Sequence, residues 1–212
     1  MEIVHFNREE IQEMEKRFRT NFINSLTGFK SANLIGSISP DGKLNLAIFS
    51  SAVHIGASPP LIGLIFRPVT VARHTYENIQ AGGYYTINHI HQSFFKKAHQ
   101  TAARYDRDVS EFDAVQLTPD FSPAHPAPYV KESLIKLGVK YEEEYHIKAN
   151  DTIFVVGSIV ETFLPRECLK DDGYVDLELA ETVAVSGLDC YHITRRLARL
   201  SYAKPDLPLT VI

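Results

Sequence analysis

Two strand-like stretches, Ile135 to Ile147 and Thr152 to Phe163, are joined only by the polar turn Lys148-Ala149-Asn150-Asp151. A link that short leaves no room for a crossover helix, so the two segments are expected to pair antiparallel. The chain repeats this economy elsewhere. Asn33 to Ser39 reads as a strand that ends at Pro40-Asp41-Gly42-Lys43, and Leu44 to Phe49 reads as its return partner. Asp-Gly between apolar runs is a hairpin signal, here with a loop of about four residues. After a Ser- and Pro-rich loop, the nearly all-apolar run Leu61 to Phe66 predicts a central strand. Tyr84 to Asn88, rich in aromatic and β-branched residues, predicts another, and Thr182 to Ser186 a short one. Strands that follow strands with few helices between them predict a mainly β chain, closed as one antiparallel barrel.

Helical signals are local. Asn7 can cap a helix from about Arg8 to Leu26, with Glu9 and Glu10 at its positive end and Ile11, Met14, Phe18, Phe22 and Leu26 as its apolar stripe. Gly28 supplies a stop. Thr70 can cap a helix over Val71 to Gln80, which Ala81-Gly82-Gly83 ends. From His91 to Phe112 the pattern is helical and interrupted. Pro119, Pro123, Pro126 and Pro128 then impose an extended stretch without assigned regular structure, and the basic C-terminus reads as coil.

A chain of 212 residues suits a single domain. Its 44% apolar and 23% charged residues exclude disordered and collagen-like classes. With 22 basic against 26 acidic residues, the net charge of -4 argues against nucleic acid as a partner. No secretory signal is visible, and no apolar stretch approaches the roughly 20 residues of a membrane span. Cys168 and Cys190 form neither a metal-ligand spacing nor a disulfide framework, so both are read as reduced thiols of a cytoplasmic protein without a metal. Dinucleotide, P-loop, nucleophile-elbow and zinc signatures are all missing.

Two segments carry chemistry. Arg67-Pro68-Val69-Thr70-Val71-Ala72-Arg73-His74-Thr75 brackets a helix start with guanidinium and hydroxyl groups, a combination that suits a phosphate and equally describes a solvated arginine pair around an N-cap. In Asn45-Leu46-Ala47-Ile48-Phe49-Ser50-Ser51-Ala52 a strand runs into small hydroxyl residues, which would let a planar ligand approach the backbone; an ordinary strand end reads the same way. His54, His74 and His125 are near-site candidates for which a structural or surface role is the default.

These residues resemble the flavin reductase-like family with the FMN-binding split-barrel fold, which includes flavoredoxin. The resemblance spans nearly the whole chain. It is carried by Asn45-Leu46-Ala47 with Ser50-Ser51, by Pro59-Pro60-Leu61, by Arg73-His74-Thr75-Tyr76-Glu77-Asn78-Ile79, and by Gly83 to Asn88. Ala98 to Ala103, Ser110-Glu111-Phe112, Ser186 to Asp189 and Arg199 to Pro205 add to it. It implies an antiparallel split β-barrel of Greek-key type with an N-terminal helix and short peripheral helices. One domain would cover residues 1–212, with 1–27 as a helical extension.

The resemblance further implies a homodimer in which FMN, in preference to FAD, lies near the subunit interface. Its ring would follow Ala47, Ile48, Phe49, Ser50 and Ser51, and its phosphate would sit near Arg73 and Thr75, with Arg67 as a second candidate. Asn45 and His74 belong to the same matched segments. Asn88 would contact the flavin or support its loop, and Gln100 and Thr101 match a segment that closes over the cofactor. NAD(P)H is the implied hydride donor, and free flavin or a redox protein the acceptor. No catalytic side chain is evident, because the flavin itself carries hydride and electron transfer. A flavoredoxin-like carrier reduced by a partner protein, and a non-catalytic split-barrel binding module, are the alternatives.

Two departures bear on this. Asp151 stands where many relatives have the histidine of a Gly-Asp-His sequence, and a carboxylate there would repel a dinucleotide's phosphates. Ala102 replaces a serine common in flavoredoxin-like relatives.

Overall fold

The structure is a computed structural model that describes residues 1–212. In chain order it contains α1 (Arg8–Glu13), α2 (Lys16–Leu26), β1 (Lys30–Ser31), β2 (Asn33–Ile38), β3 (Leu44–Phe49), β4 (Val53–Ala57) and β5 (Pro60–Phe66). There follow α3 (His74–Gly82), β6 (Tyr84–His89), α4 (Phe95–Gln100), α5 (Glu111–Val115), β7 (Pro119–Ser122) and β8 (His125–Val130). Long strands β9 (Lys136–Ile147) and β10 (Thr152–Phe163) precede β11 (Val183–Ser186) and β12 (Cys190–Ile193). No helix is long and apolar enough to cross a membrane.

Seven strands form one antiparallel sheet in the order β3-β2-β6-β9-β10-β5-β4. Its edge strands, β3 and β4, are consecutive in the chain and joined only through residues 50–52. That link reaches about 14 Å when extended, whereas seven flat strands would set the two edges roughly 29 Å apart. The sheet must therefore roll up. At the meeting of its edges Ser51 extends the β4–β5 pairing, its hydroxyl donating to Ile65 O at 2.9 Å and accepting from Ile65 N at 3.2 Å, and the Phe49 ring of β3 lies 5.0 Å from the Phe66 ring of β5.

Alternation along the strands sorts side chains to two cores. Ile35, Leu64, Phe66, Tyr85, Ile87, Val139 and Val155 pack with Ile79 of α3. On the other face Leu34 and Leu46 pack with Phe94, Phe112, Val130 and Val183. Gly36 marks a close approach, since a Cβ there would meet Pro128 O at 2.1 Å. The β7–β8 hairpin crosses at that point, and Thr86 Oγ1 donates to Pro128 O at 2.6 Å.

The hairpins β2–β3 and β9–β10 and strand β6 lie where the sequence pattern sets them. Several local expectations are corrected. The N-terminal helix is two helices broken at Met14 and Glu15, where Glu15 turns extended and its carboxylate caps Phe18 N at 2.9 Å. Neither helix buries a residue, so the Ile11-to-Leu26 stripe does not pack into a core. The Ser- and Pro-rich loop contains β4, an edge strand whose short, exposed pattern lacked a burial signal. Strand β5 lies next to that edge rather than at the sheet centre. The proline-rich stretch forms β7 and β8, a separate two-stranded pair. Helix α3 starts at His74 and is preceded by Arg73, so Thr70 caps nothing. The C-terminal region read as coil contains β12, which pairs with β11.

Candidate functional site

The Arg67-to-Thr75 segment connects the end of β5 to the start of α3. Arg73 occupies the position before the helix and makes no side-chain cap; its Nε reaches only Pro68 O, at 3.4 Å. Burial lowers the Arg73 pKa, and the charges of Arg67 and Arg104 lower it further. None of these three arginines forms an ion pair. A carboxylate lies close by, since Glu77 Oε1 accepts from Arg73 N at 3.1 Å and Glu77 Oε2 from Arg107 Nη1 at 2.6 Å. Arg104 was not among the residues singled out from sequence. It lies on the loop between α4 and α5, and nothing in the sequence ties that loop to α3.

Thr75 is buried, and its hydroxyl accepts from Asn45 Nδ2 at 2.8 Å. Asn45 also reaches Ser37 Oγ at 3.2 Å, and Asn78 reaches the same oxygen at 3.1 Å. The network fastens the first turn of α3 to β2 and β3. His74 borders a crevice of ≈ 10 Å³ shared with Asn45, Asn78, Arg107 and Glu111, which is room for about one water and far too little for a flavin ring. The Glu111 carboxylate accepts from Leu46 N at 2.9 Å, covering an edge N–H of β3, and burial raises its pKa.

Ala47, Ile48, Phe49 and Ser50 run half-buried along the outer edge strand toward the seam between β3 and β4. Ser51 is at the seam, with its hydroxyl engaged by the Ile65 backbone. Asn88 is fully buried; Nδ2 donates to Leu34 O and Thr86 Oγ1, and Oδ1 accepts from Val130 N. These bonds tie β6 to β2 and β8. Thr101 Oγ1 is likewise committed, to Ala98 O at 2.8 Å, while exposed Gln100 contacts Tyr105 at 3.2 Å. His125 is buried in β8 with its ring nitrogens facing Ala127 and Val139, and His54 lies exposed on β4.

The sheet register also places the β9–β10 turn. Ile153 pairs with Phe66, so Thr152 and Asp151 come beside the Arg67 end of β5. Asp151 holds the turn at φ 57° and lies 3.6 Å from His146 Nε2 across the hairpin. A cavity of ≈ 420 Å³ lined by Lys170, Tyr174, Arg196 and Arg199 among others includes none of these residues.

A sequence model described as "Flavin reductase like domain" matches residues 29–178. A crystal structure from Shewanella frigidimarina NCIMB 400, provisionally described as a flavin reductase with split barrel domain, is 52% identical. It superposes with a TM-score of 0.91 over 94% of this chain and 100% of that one. Nitrilotriacetate monooxygenase component B from Bacillus cereus superposes at 0.81 with 20% identity, over 94% of this chain and 100% of its own. Flavoredoxin of Desulfovibrio vulgaris (Miyazaki F) superposes at 0.69 with 22% identity, over 84% of this chain and 92% of its own.

Proposed function

The chain belongs to the flavin reductase-like domain family, and from that premise we propose that it binds FMN and takes a hydride from NADH or NADPH, passing electrons to free flavin or a protein acceptor. One observation supports the flavin half: Arg67 and Arg73, on the segment from the end of β5 to the start of α3, hold guanidinium groups that form no ion pair. A phosphate monoester supplies the charge that they lack, and guanidinium groups match its oxygens in geometry.

Hydride and electron chemistry comes from the isoalloxazine when FMN is bound. The chain's own part is to bind, orient and exclude water. Arg67 and Arg73 would hold the phosphate. The Asn45–Thr75 bond keeps β3 and α3 at a fixed separation, so a ligand held at one is aligned with the other. The half-buried residues Ala47 to Ser50 offer a flat backbone edge for the ring.

We also propose a cytoplasmic homodimer. Its support is the apolar surface that a single copy leaves uncovered, at Val53, Ile55 and Ile65 and at Phe18 and Leu26 of α2.

Asp151 favours a second reading, a flavoredoxin-like carrier reduced by a partner protein, because its carboxylate would sit where a dinucleotide approaches the Arg67 end of the barrel. The test is a visible absorption spectrum after incubation with FMN and removal of free ligand, followed by steady-state NADH and NADPH oxidation with added FMN. Retained flavin and turnover support the oxidoreductase. Retained flavin without turnover leaves the carrier. Neither flavin binding nor turnover would overturn both in favour of a non-catalytic module.

A further inference from the structure

We propose that Glu111 is a positioning residue for the flavin ring: its carboxylate occupies the edge N–H of Leu46, so that the ring can pair only with the part of β3 that begins at Ile48. This rests on the reading that the β3 edge takes the isoalloxazine.

β3 has one strand neighbour, β2, and its other side is a sheet edge. In an antiparallel pair successive residues turn their backbone groups to opposite sides. Ser39 N donates to Lys43 O at 3.0 Å, so Lys43 turns toward β2. Leu44, Leu46 and Ile48 therefore turn their N–H groups away from it. Leu46 N follows this rule and donates to the Glu111 carboxylate at 2.9 Å. Glu111 is itself buried, and its neighbours Phe112 and Val115 anchor α5 in the same core as Leu46.

The first half of β3 is thus held on three sides. β2 pairs along it, the Asn45 amide is bonded to Thr75 of α3, and Glu111 of α5 takes the edge at Leu46. Two residues further on, Ile48 N–H turns to the same side, where the sheet has no further strand. A bare edge repeats every two residues, about 7 Å along the strand. It would offer two equivalent registers to a planar ligand whose edge carries carbonyls and an N–H, as the isoalloxazine does. An acceptor on Leu46 N removes one of them. Packing does not call for a carboxylate at this place, since burial raises the Glu111 pKa and the bond from Leu46 N offsets only part of the rise. An apolar side chain would avoid that cost and leave the Leu46 N–H without an acceptor.

The experiment compares FMN and riboflavin dissociation constants by flavin fluorescence titration, together with the visible spectrum of the bound flavin, for the wild type, Glu111→Asp and Glu111→Gln. A thermal melt of each checks the fold. Glu111→Asp keeps the charge and shortens the reach by one methylene; it should weaken both flavins by the same factor, about 3- to 10-fold, and change the spectrum of the bound ring. Glu111→Gln keeps an accepting oxygen at full reach and should restore the wild-type affinity and spectrum. Ile48→Pro tests the same register from the other side, because it deletes the N–H left to the ring at a place where an edge strand tolerates proline. It should weaken both flavins about 10-fold, and it carries the test if Glu111→Asp does not fold. Wild-type affinity and spectrum in Glu111→Asp or in Ile48→Pro overturn the proposal and leave the flavin reading intact, even where the melting temperature falls. Loss of FMN alone, or a Glu111→Gln variant as impaired as Glu111→Asp, overturns it as well. A wild type that binds neither flavin overturns the flavin reading and this proposal together.

Discussion

Asn45 donates its side-chain amide to the Thr75 hydroxyl at 2.8 Å, a buried bond that ties edge strand β3 to the first turn of α3. Thr75→Val keeps the shape and deletes the acceptor, so Asn45 falls back on Ser37 Oγ at 3.2 Å. The expected cost is about 1–2 kcal/mol. Urea denaturation checks it, and an unchanged midpoint would remove this bond from the account of how the site is held.

Asn88 joins three elements through Leu34, Thr86 and Val130, with both amide hydrogens donated and Oδ1 accepting from a backbone N–H. Asn88→Ala leaves the buried Val130 N–H without its partner, and a loss of about 2–4 kcal/mol is expected. If the variant instead kept its stability and lost flavin affinity, Asn88 would be a ligand contact.

Arg73 is partly buried where Arg67 is exposed, and its guanidinium forms no ion pair. Arg73→Ala should weaken FMN binding by about 1.5–3 kcal/mol, the scale of a charge-assisted hydrogen bond. Equilibrium dialysis at fixed ionic strength reads this directly, and unchanged affinity removes Arg73 from the site.

Asp151 lies at the hairpin tip beside the Arg67 end of β5. Asp151→Asn removes its charge while leaving a residue that tolerates the left-handed φ of 57°. We expect kcat/KM for NADH to rise about 3- to 10-fold as repulsion of the dinucleotide is lifted. No change would show that the dinucleotide does not pass this turn.

His89 ends β6 with Nδ1 sealed from solvent and unpartnered, and burial lowers its pKa from 6.5 to about 4. The fold therefore keeps the ring neutral while the unfolded chain protonates it. Its stability contribution is fully present above pH 6.5 and is lost as pH falls toward 4, by about 3 kcal/mol over that window. His89→Gln should flatten the wild-type stability profile between those pH values in denaturant titrations. Equal acid sensitivity in both proteins would place the titrating group elsewhere.

The β2–β3 and β9–β10 hairpins were legible because apolar pattern and polar turn lie within a few residues of each other. So was the Gly83 stop, whose φ of 72° suits glycine. β4 was not legible, because an edge strand with exposed side chains carries no alternation. Neither was the β7–β8 pair, whose prolines read as breakers yet lie outside the main sheet.

The site divides along the same line. Residue type and order along the chain determined that Arg67, Arg73 and Thr75 flank a helix start and that Ala47 to Ser51 end a strand. Only the tertiary structure decided that the Thr75 hydroxyl accepts from Asn45, that Asn88 bonds to Leu34 and Val130, and that Asp151 comes beside Arg67. Local pattern fixes which element forms, because backbone conformation depends on near neighbours. Which side chains share a site depends on how the sheet rolls up, and that is set by contacts between residues far apart in the chain.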